Sequence, residues 1–170
     1  MIKLIATDID GTLVKDGTLI IDPEYMTVIS KLIDKGIIFT VCSGRQFSSE
    51  QKLFAPIKDK LMYITDGGTV VRTPNRILKT YPMSNELWKD MCRMVRDELP
   101  ACDYFAASPD LCYAEDGASP IFHRLRDSYG FEMREIDDLT KLENDDIITF
   151  LIKYKNGIIG DISSSRVATG

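Results

Sequence analysis

Three short apolar runs, separated by helical spacing and each ending in a polar or glycine-rich break, restrict residues 1–68 to a parallel α/β arrangement. Ile2 to Thr7 is apolar and β-branched and stops at Asp8-Ile9-Asp10-Gly11-Thr12, the pattern of a strand buried on both faces. Asp22-Pro23 supplies an N-cap and a first-turn proline. Tyr25, Met26, Ile29, Leu32 and Ile33 recur at helical spacing, and Lys35-Gly36 closes that helix. Ile37 to Val41 is a second strand, broken by Ser43-Gly44-Arg45. An amphipathic stretch from Phe47 to Phe54 ends at Pro56, and Leu61 to Thr65 forms a third strand before Asp66-Gly67-Gly68. The expected fold class is α/β, with a Rossmann-like parallel-sheet core.

Beyond residue 68 the pattern changes. Thr69 to Val71 and Ile77 to Tyr81 predict a hairpin leading away from the sheet. Leu87, Trp88, Met91, Val95 and Leu99 share one helical face up to Pro100, and a second helix is expected from Ser119-Pro120 to Tyr129, capped by Gly130. Short strands are expected at Tyr104 to Ala106, Leu111 to Ala114, Glu132 to Glu135 and Ile147 to Tyr154. Asn156-Gly157 predicts a further turn and a returning strand near residues 158–162. The chain thus divides into a core over residues 1–80 and an inserted α+β domain over 81–170.

Composition removes whole classes of function. A net charge of −5 without a Lys/Arg cluster lacks the footprint needed for nucleic-acid phosphates. No apolar run approaches the roughly 20 residues of a bilayer-spanning helix, and the N-terminal run is too short for a signal peptide, so a cytoplasmic address is expected. The four cysteines show no C-x-x-C spacing and read as ordinary thiols. A single histidine, His123, excludes a multi-histidine metal cage. Catalysis must rest on carboxylates, hydroxyls and a metal.

Two carboxylates two residues apart at the carboxyl end of a buried strand stand where open α/β sheets bind ligands. A carboxylate can attack an anionic phosphate ester only if a cation offsets the repulsion, and Mg²⁺ takes hard oxygen ligands such as Asp, phosphate and water. Asp8 is then the candidate nucleophile and Asp10 the candidate acid and base, both also candidate metal ligands. Gly11 allows a tight turn, and Thr12 adds a hydroxyl donor. Ser43 and Gly44, at the end of the second strand, can hold phosphate oxygens. Arg45 can pair with the substrate or simply open a solvent-exposed helix.

Asp8-Ile9-Asp10-Gly11-Thr12-Leu13, followed by Ser43-Gly44-Arg45, resembles the first two motifs of the haloacid dehalogenase superfamily in its Cof-type branch of phosphatases. The resemblance implies that Asp8 is the nucleophile, that Asp10 is the general acid/base, and that Ser43 grips phosphate. It also implies Mg²⁺ held by Asp8 and the main-chain carbonyl of Asp10, and an α/β cap after the third core strand. The implied partner is a small phosphorylated metabolite. Gly67-Gly68 stands where such proteins usually carry Asn-Gly. The family's later lysine and second acidic motif have no convincing counterpart, since Gly160-Asp161 is followed by no second acid. The alternative is therefore a truncated or impaired relative that binds phosphate without efficient turnover, with an exposed sheet edge prone to self-association. A calcium loop at Asp8 is disfavoured because its twelfth position is Leu19 rather than Glu.

Overall fold

The computed structural model describes residues 2–15, 18–143 and 146–155, arranged as two sheets with helices packed against them. The Asn156-Gly157 turn, the returning strand and Gly160-Asp161 lie outside the described residues. The first sheet has five strands in sequential order: β1 (Leu4–Asp8), β2 (Ile38–Cys42), β3 (Met62–Thr65), β4 (Val70–Thr73) and β5 (Arg76–Thr80). β1, β2 and β3 are parallel, while β4 and β5 are antiparallel to their neighbours. The expected hairpin therefore does not leave the sheet but extends it, because the turn after β3 folds β4 straight back along its partner.

Helix α1 (Pro23–Asp34) starts where the Asp22 carboxylate accepts from the Glu24 N–H at 2.8 Å, and it ends at Gly36, with φ of 79°. Its Ile29 is buried, and Met26, Leu32 and Ile33 pack onto a core built from Ile9, Phe39, Val41, Phe54 and Tyr63. Helix α2 (Phe47–Leu53) adds Phe47, whose ring meets Tyr63 edge to face at 5.0 Å. β1 departs from the expectation of two buried faces. Ile5 turns toward the core, but Leu4 is 54% exposed, because among the described residues β1 has only β2 beside it and helix cover on one side.

The second sheet runs β8 (Met133–Glu135), β7 (Cys112–Ala114), β6 (Cys102–Ala107), β9 (Thr149–Tyr154). Helix α3 (Asn85–Glu98) is capped by Ser84 and buries Trp88, Cys92 and Val95 against one face, together with Phe150 and Ile152. Alternation along β6 sends Phe105 and Ala107 to the opposite face, where Phe122 and Leu125 cover them. The second expected helix is present over Pro120–Ser128 but changes its winding part-way. Helix α4 spans only Pro120–His123, and the chain then loosens into a π-helical turn over Arg124–Ser128, closed by Tyr129 N–H to the Arg124 carbonyl at 3.2 Å.

Side chains of α2 and of Gln46 before it bind main chain of the second unit. The amide oxygen of the fully buried Gln46 accepts from Glu132 N–H at 2.7 Å, and its amide nitrogen donates to the Glu132 carbonyl at 3.4 Å. Lys52 and Ser48 both donate to the Gly130 carbonyl, at 2.8 and 3.2 Å. Gly130 has φ of 73°, and a Cβ there would lie 3.0 Å from Lys52 and 3.3 Å from Leu19. Glycine thus serves both the left-handed turn and the close approach. Arg72 on β4 adds an ion pair to Asp110 at 2.5 Å while its guanidinium covers the Phe47 ring at 3.6 Å.

Candidate active site

The register Asp8↔Cys42 brings the ends of β1 and β2 level, so that Asp8 and the Ser43 loop emerge side by side at the carboxyl edge of the sheet. Asp8 is exposed, and its Oδ2 accepts from the Thr12 hydroxyl at 3.2 Å. The loop behind it is tight: the Ile9 carbonyl accepts from the N–H groups of Thr12, Leu13 and Val14, and Gly11 sits at φ of 78°. Ile9 is fully buried and anchors this loop, while Asp8 beside it is exposed.

Asp10 and Arg45, 35 residues apart, form a two-pronged pair. Arg45 Nε donates to Oδ2 at 2.7 Å and Nη2 to Oδ1 at 2.6 Å. Nη2 also reaches the Thr18 carbonyl at 2.8 Å. With its side chain only 3% exposed, Arg45 is not the solvent-facing helix start that its position allowed. Its fork is also turned to Asp10, and not to open space where a phosphate could take it. Asp10 takes Nε and Nη2, while Nη1 reaches the Ser49 hydroxyl oxygen at 3.5 Å.

The Ser43 loop is held from both sides. The Ser43 hydroxyl oxygen accepts from Arg45 N–H at 3.1 Å, its N–H reaches the Ile64 carbonyl at 3.0 Å, and its carbonyl accepts from Gly67 N–H at 3.1 Å. Asp66 N–H bonds to the Arg45 carbonyl at 2.9 Å. Around Gly44 there is open space, with nothing within 4 Å of a would-be Cβ. Asp8, Asp10, Thr12, Ser43, Gly44 and Arg45 are thus gathered at one end of the sheet.

Two acids here were missed by sequence reasoning. Glu50 on α2 is fully buried, and neither of its carboxylate oxygens has a hydrogen-bond partner among the described residues. Burial first, and the Asp66 charge second, hold its carboxyl well above the usual range, with Arg45 opposing. The signal was available: Phe47, Glu50, Leu53 and Phe54 share one helical face, and an acid on an apolar stripe is out of place. Asp66 adopts φ of 52°, is 5% exposed, and accepts from the Thr65 hydroxyl at 2.7 Å. Burial pushes its carboxyl from 3.8 up to about 7, against the Thr65 hydrogen bond.

A pH dependence of stability follows. The unfolded chain releases the Asp66 proton near 3.8 while the folded chain keeps it to about 7, so the folded state binds more protons between these values. Stability contributed by this group therefore falls as pH rises through that window and is level above it. Glu50 adds a fall of the same sign. Asp66→Asn is expected to flatten the decline of melting temperature from pH 4 to pH 7 and to raise stability at pH 8, by on the order of a few kcal/mol. An unchanged slope in pH-resolved thermal melts would refute it.

Asp8 offers hard carboxylate oxygens, the donor class that Mg²⁺ takes. Among the described residues no group of three His, Cys, Asp or Glu side chains converges to hold a metal. The donors present fit a divalent ion that draws its remaining ligands from main-chain carbonyl, water and substrate.

The sequence matches the model of the haloacid dehalogenase-like hydrolases over residues 5–166. The chain belongs to this family. A protein of known structure from Eubacterium rectale is 79% identical and superposes with a TM-score of 0.80, over 90% of this chain and 58% of that one. The 5-amino-6-(5-phospho-D-ribitylamino)uracil phosphatase YbjI of Escherichia coli is 26% identical over 183 residues, which span 99% of this chain and 65% of the relative. The phosphatase of the same name from Bacillus subtilis, YcsE, is 36% identical over 74 residues, 44% of this chain and 29% of the relative. The haloacid dehalogenase-like chain thus spans less than two thirds of these relatives' length. The first sheet corresponds to the α/β core of the fold and the second to its cap. No helix among the described residues is long and apolar enough to cross a membrane.

Proposed function

We propose that the chain carries the phosphoryl-transfer half of a Mg²⁺-dependent phosphatase acting on small phosphomonoesters, of the kind named for its Escherichia coli and Bacillus subtilis relatives. The observation that carries this is the assembly at one sheet end of an exposed Asp8, an Asp10 held by Arg45, and the Ser43 loop. In the first step an Asp8 carboxylate oxygen bonds to phosphorus as the ester P–O bond breaks, and Asp10 gives a proton to the departing oxygen. In the second, Asp10 takes a proton from water, whose oxygen attacks the aspartyl phosphate and frees inorganic phosphate and Asp8. Arg45 is a positioning residue here. Its fork fixes the plane of the Asp10 carboxylate.

Ser43, Thr12 and the open space at Gly44 form the phosphate side of the site. Asp8 and the main-chain carbonyl of Asp10 would hold Mg²⁺, which would supply neutralisation of the phosphate charge. Phosphate release from an aryl phosphate in the presence of Mg²⁺ tests the proposal. Chelation is expected to abolish release and added Mg²⁺ to restore it, whereas turnover that persists in excess chelator would remove the metal from the reaction.

A further inference from the structure

The π-helical turn at Arg124–Ser128 puts one more residue in the turn than an α-helix would, and so presents Tyr129 to the core. The Tyr129 ring has Arg45 at 5.7 Å and Arg124 at 5.9 Å from its centroid. One of these guanidinium groups is already matched by Asp10; the other is not. Arg124 is exposed, and among the described residues it has no ion-pair partner. The neighbouring Arg126 is paired with Asp127 at 2.7 Å. Arg124 also lies close enough to β9 that its charge, after burial, pushes the Lys153 ammonium below its ordinary range. The position of Tyr129 is not left to a loose loop, since the residues that follow it are tied down by Gln46, Ser48 and Lys52.

We infer that Arg124 and Tyr129 form the leaving-group subsite, taking phosphate esters whose leaving group ends in a pair of acceptor atoms. The assignment rests on the phosphatase reading of Asp8 and Asp10. A planar guanidinium presents parallel N–H donors that match two acceptors side by side, and a cation without a carboxylate partner keeps those donors available. Tyr129 acts as the spacer that sets the distance from the Asp10–Arg45 pair to this fork, so it reads the length of the leaving group. Two chemistries share the feature: a carboxylate, and the O6/N7 edge of a purine base.

Binding is measured by calorimetry on the full 170-residue chain carrying Asp8→Asn, so that the result does not depend on turnover. The probes are 3-phosphoglycerate, with a carboxylate; guanosine 5′-monophosphate, with an O6/N7 acceptor edge; and glycerol 3-phosphate, with neither. At least one acceptor-bearing probe is expected to bind more tightly than glycerol 3-phosphate, and which one does so identifies the chemistry. Adding Arg124→Ala is expected to weaken that probe by about tenfold or more and to leave glycerol 3-phosphate unchanged. Arg124→Lys recovers only part of the loss, because an ammonium has no fork. Tyr129→Ala is expected to reduce the same preference, while Tyr129→Phe keeps it. Equal affinity for the three probes, no measurable affinity for either acceptor-bearing one, or an equal loss on all three in a variant that melts like its parent overturns the assignment. Failure of the phosphatase reading shows separately, as unchanged phosphate release in Asp8→Asn.

Discussion

Asp8→Asn is expected to lower phosphate release by about three orders of magnitude or more while leaving the melting temperature nearly unchanged. The two halves of this expectation have separate causes. An amide oxygen can still accept from the Thr12 hydroxyl, and the side chain is exposed, so the fold loses little, within about 0.5 kcal/mol. The chemistry loses its nucleophile, because a neutral amide cannot form the acyl phosphate. Steady-state phosphate release and thermal melts on the same preparation give both numbers. Turnover that survives the substitution would exclude Asp8 as the attacking group.

Arg45→Gln is expected to damage both fold and reaction. The guanidinium is 3% exposed and bridges both oxygens of Asp10 while capping the Thr18 carbonyl. Its removal leaves a half-buried carboxylate and a carbonyl without their donor, at a cost of about 3 kcal/mol. For a positioning residue, kcat should fall by roughly a hundredfold with KM little changed. A phosphate ligand would instead show chiefly in KM. Arg45→Lys keeps the charge but reaches only one oxygen at a time, so an intermediate kcat is expected. Chemical melts and the split between kcat and KM decide the matter, and a fully retained melting midpoint would mean that the pair is not structural.

Much of the core was legible because its signals are local. Asp22-Pro23 starts α1 and Gly36 ends it, as capping chemistry requires. The Asp8 and Ser43 loops fall at strand ends because an apolar run that stops at a polar residue must stop at an edge of the core. What escaped depends on partners distant in the chain. Nothing near Arg45 announces Asp10, 35 residues earlier, and the fork between them exists only once β1 and β2 are level. The direction of the β4–β5 hairpin was misjudged because a turn after a parallel strand can either leave the sheet or fold back along its edge, and local sequence does not decide between the two. The change from α to π winding at Arg124 has no glycine or proline there to mark it. Just beyond this turn, Gly130 and Glu132 bond to Gln46, Ser48 and Lys52, contacts that spacing does not reveal.

Gln46 behaves as a surrogate peptide unit: one donor and one acceptor, answering the N–H and the carbonyl of residue 132. A joint of this kind recognises backbone rather than any particular side chain across it. The Gln46 contact therefore places residue 132 through its main chain, and the Glu132 side chain adds only the exposed pair to Lys52 at 2.8 Å. At position 46 even glutamate would surrender half of the handshake.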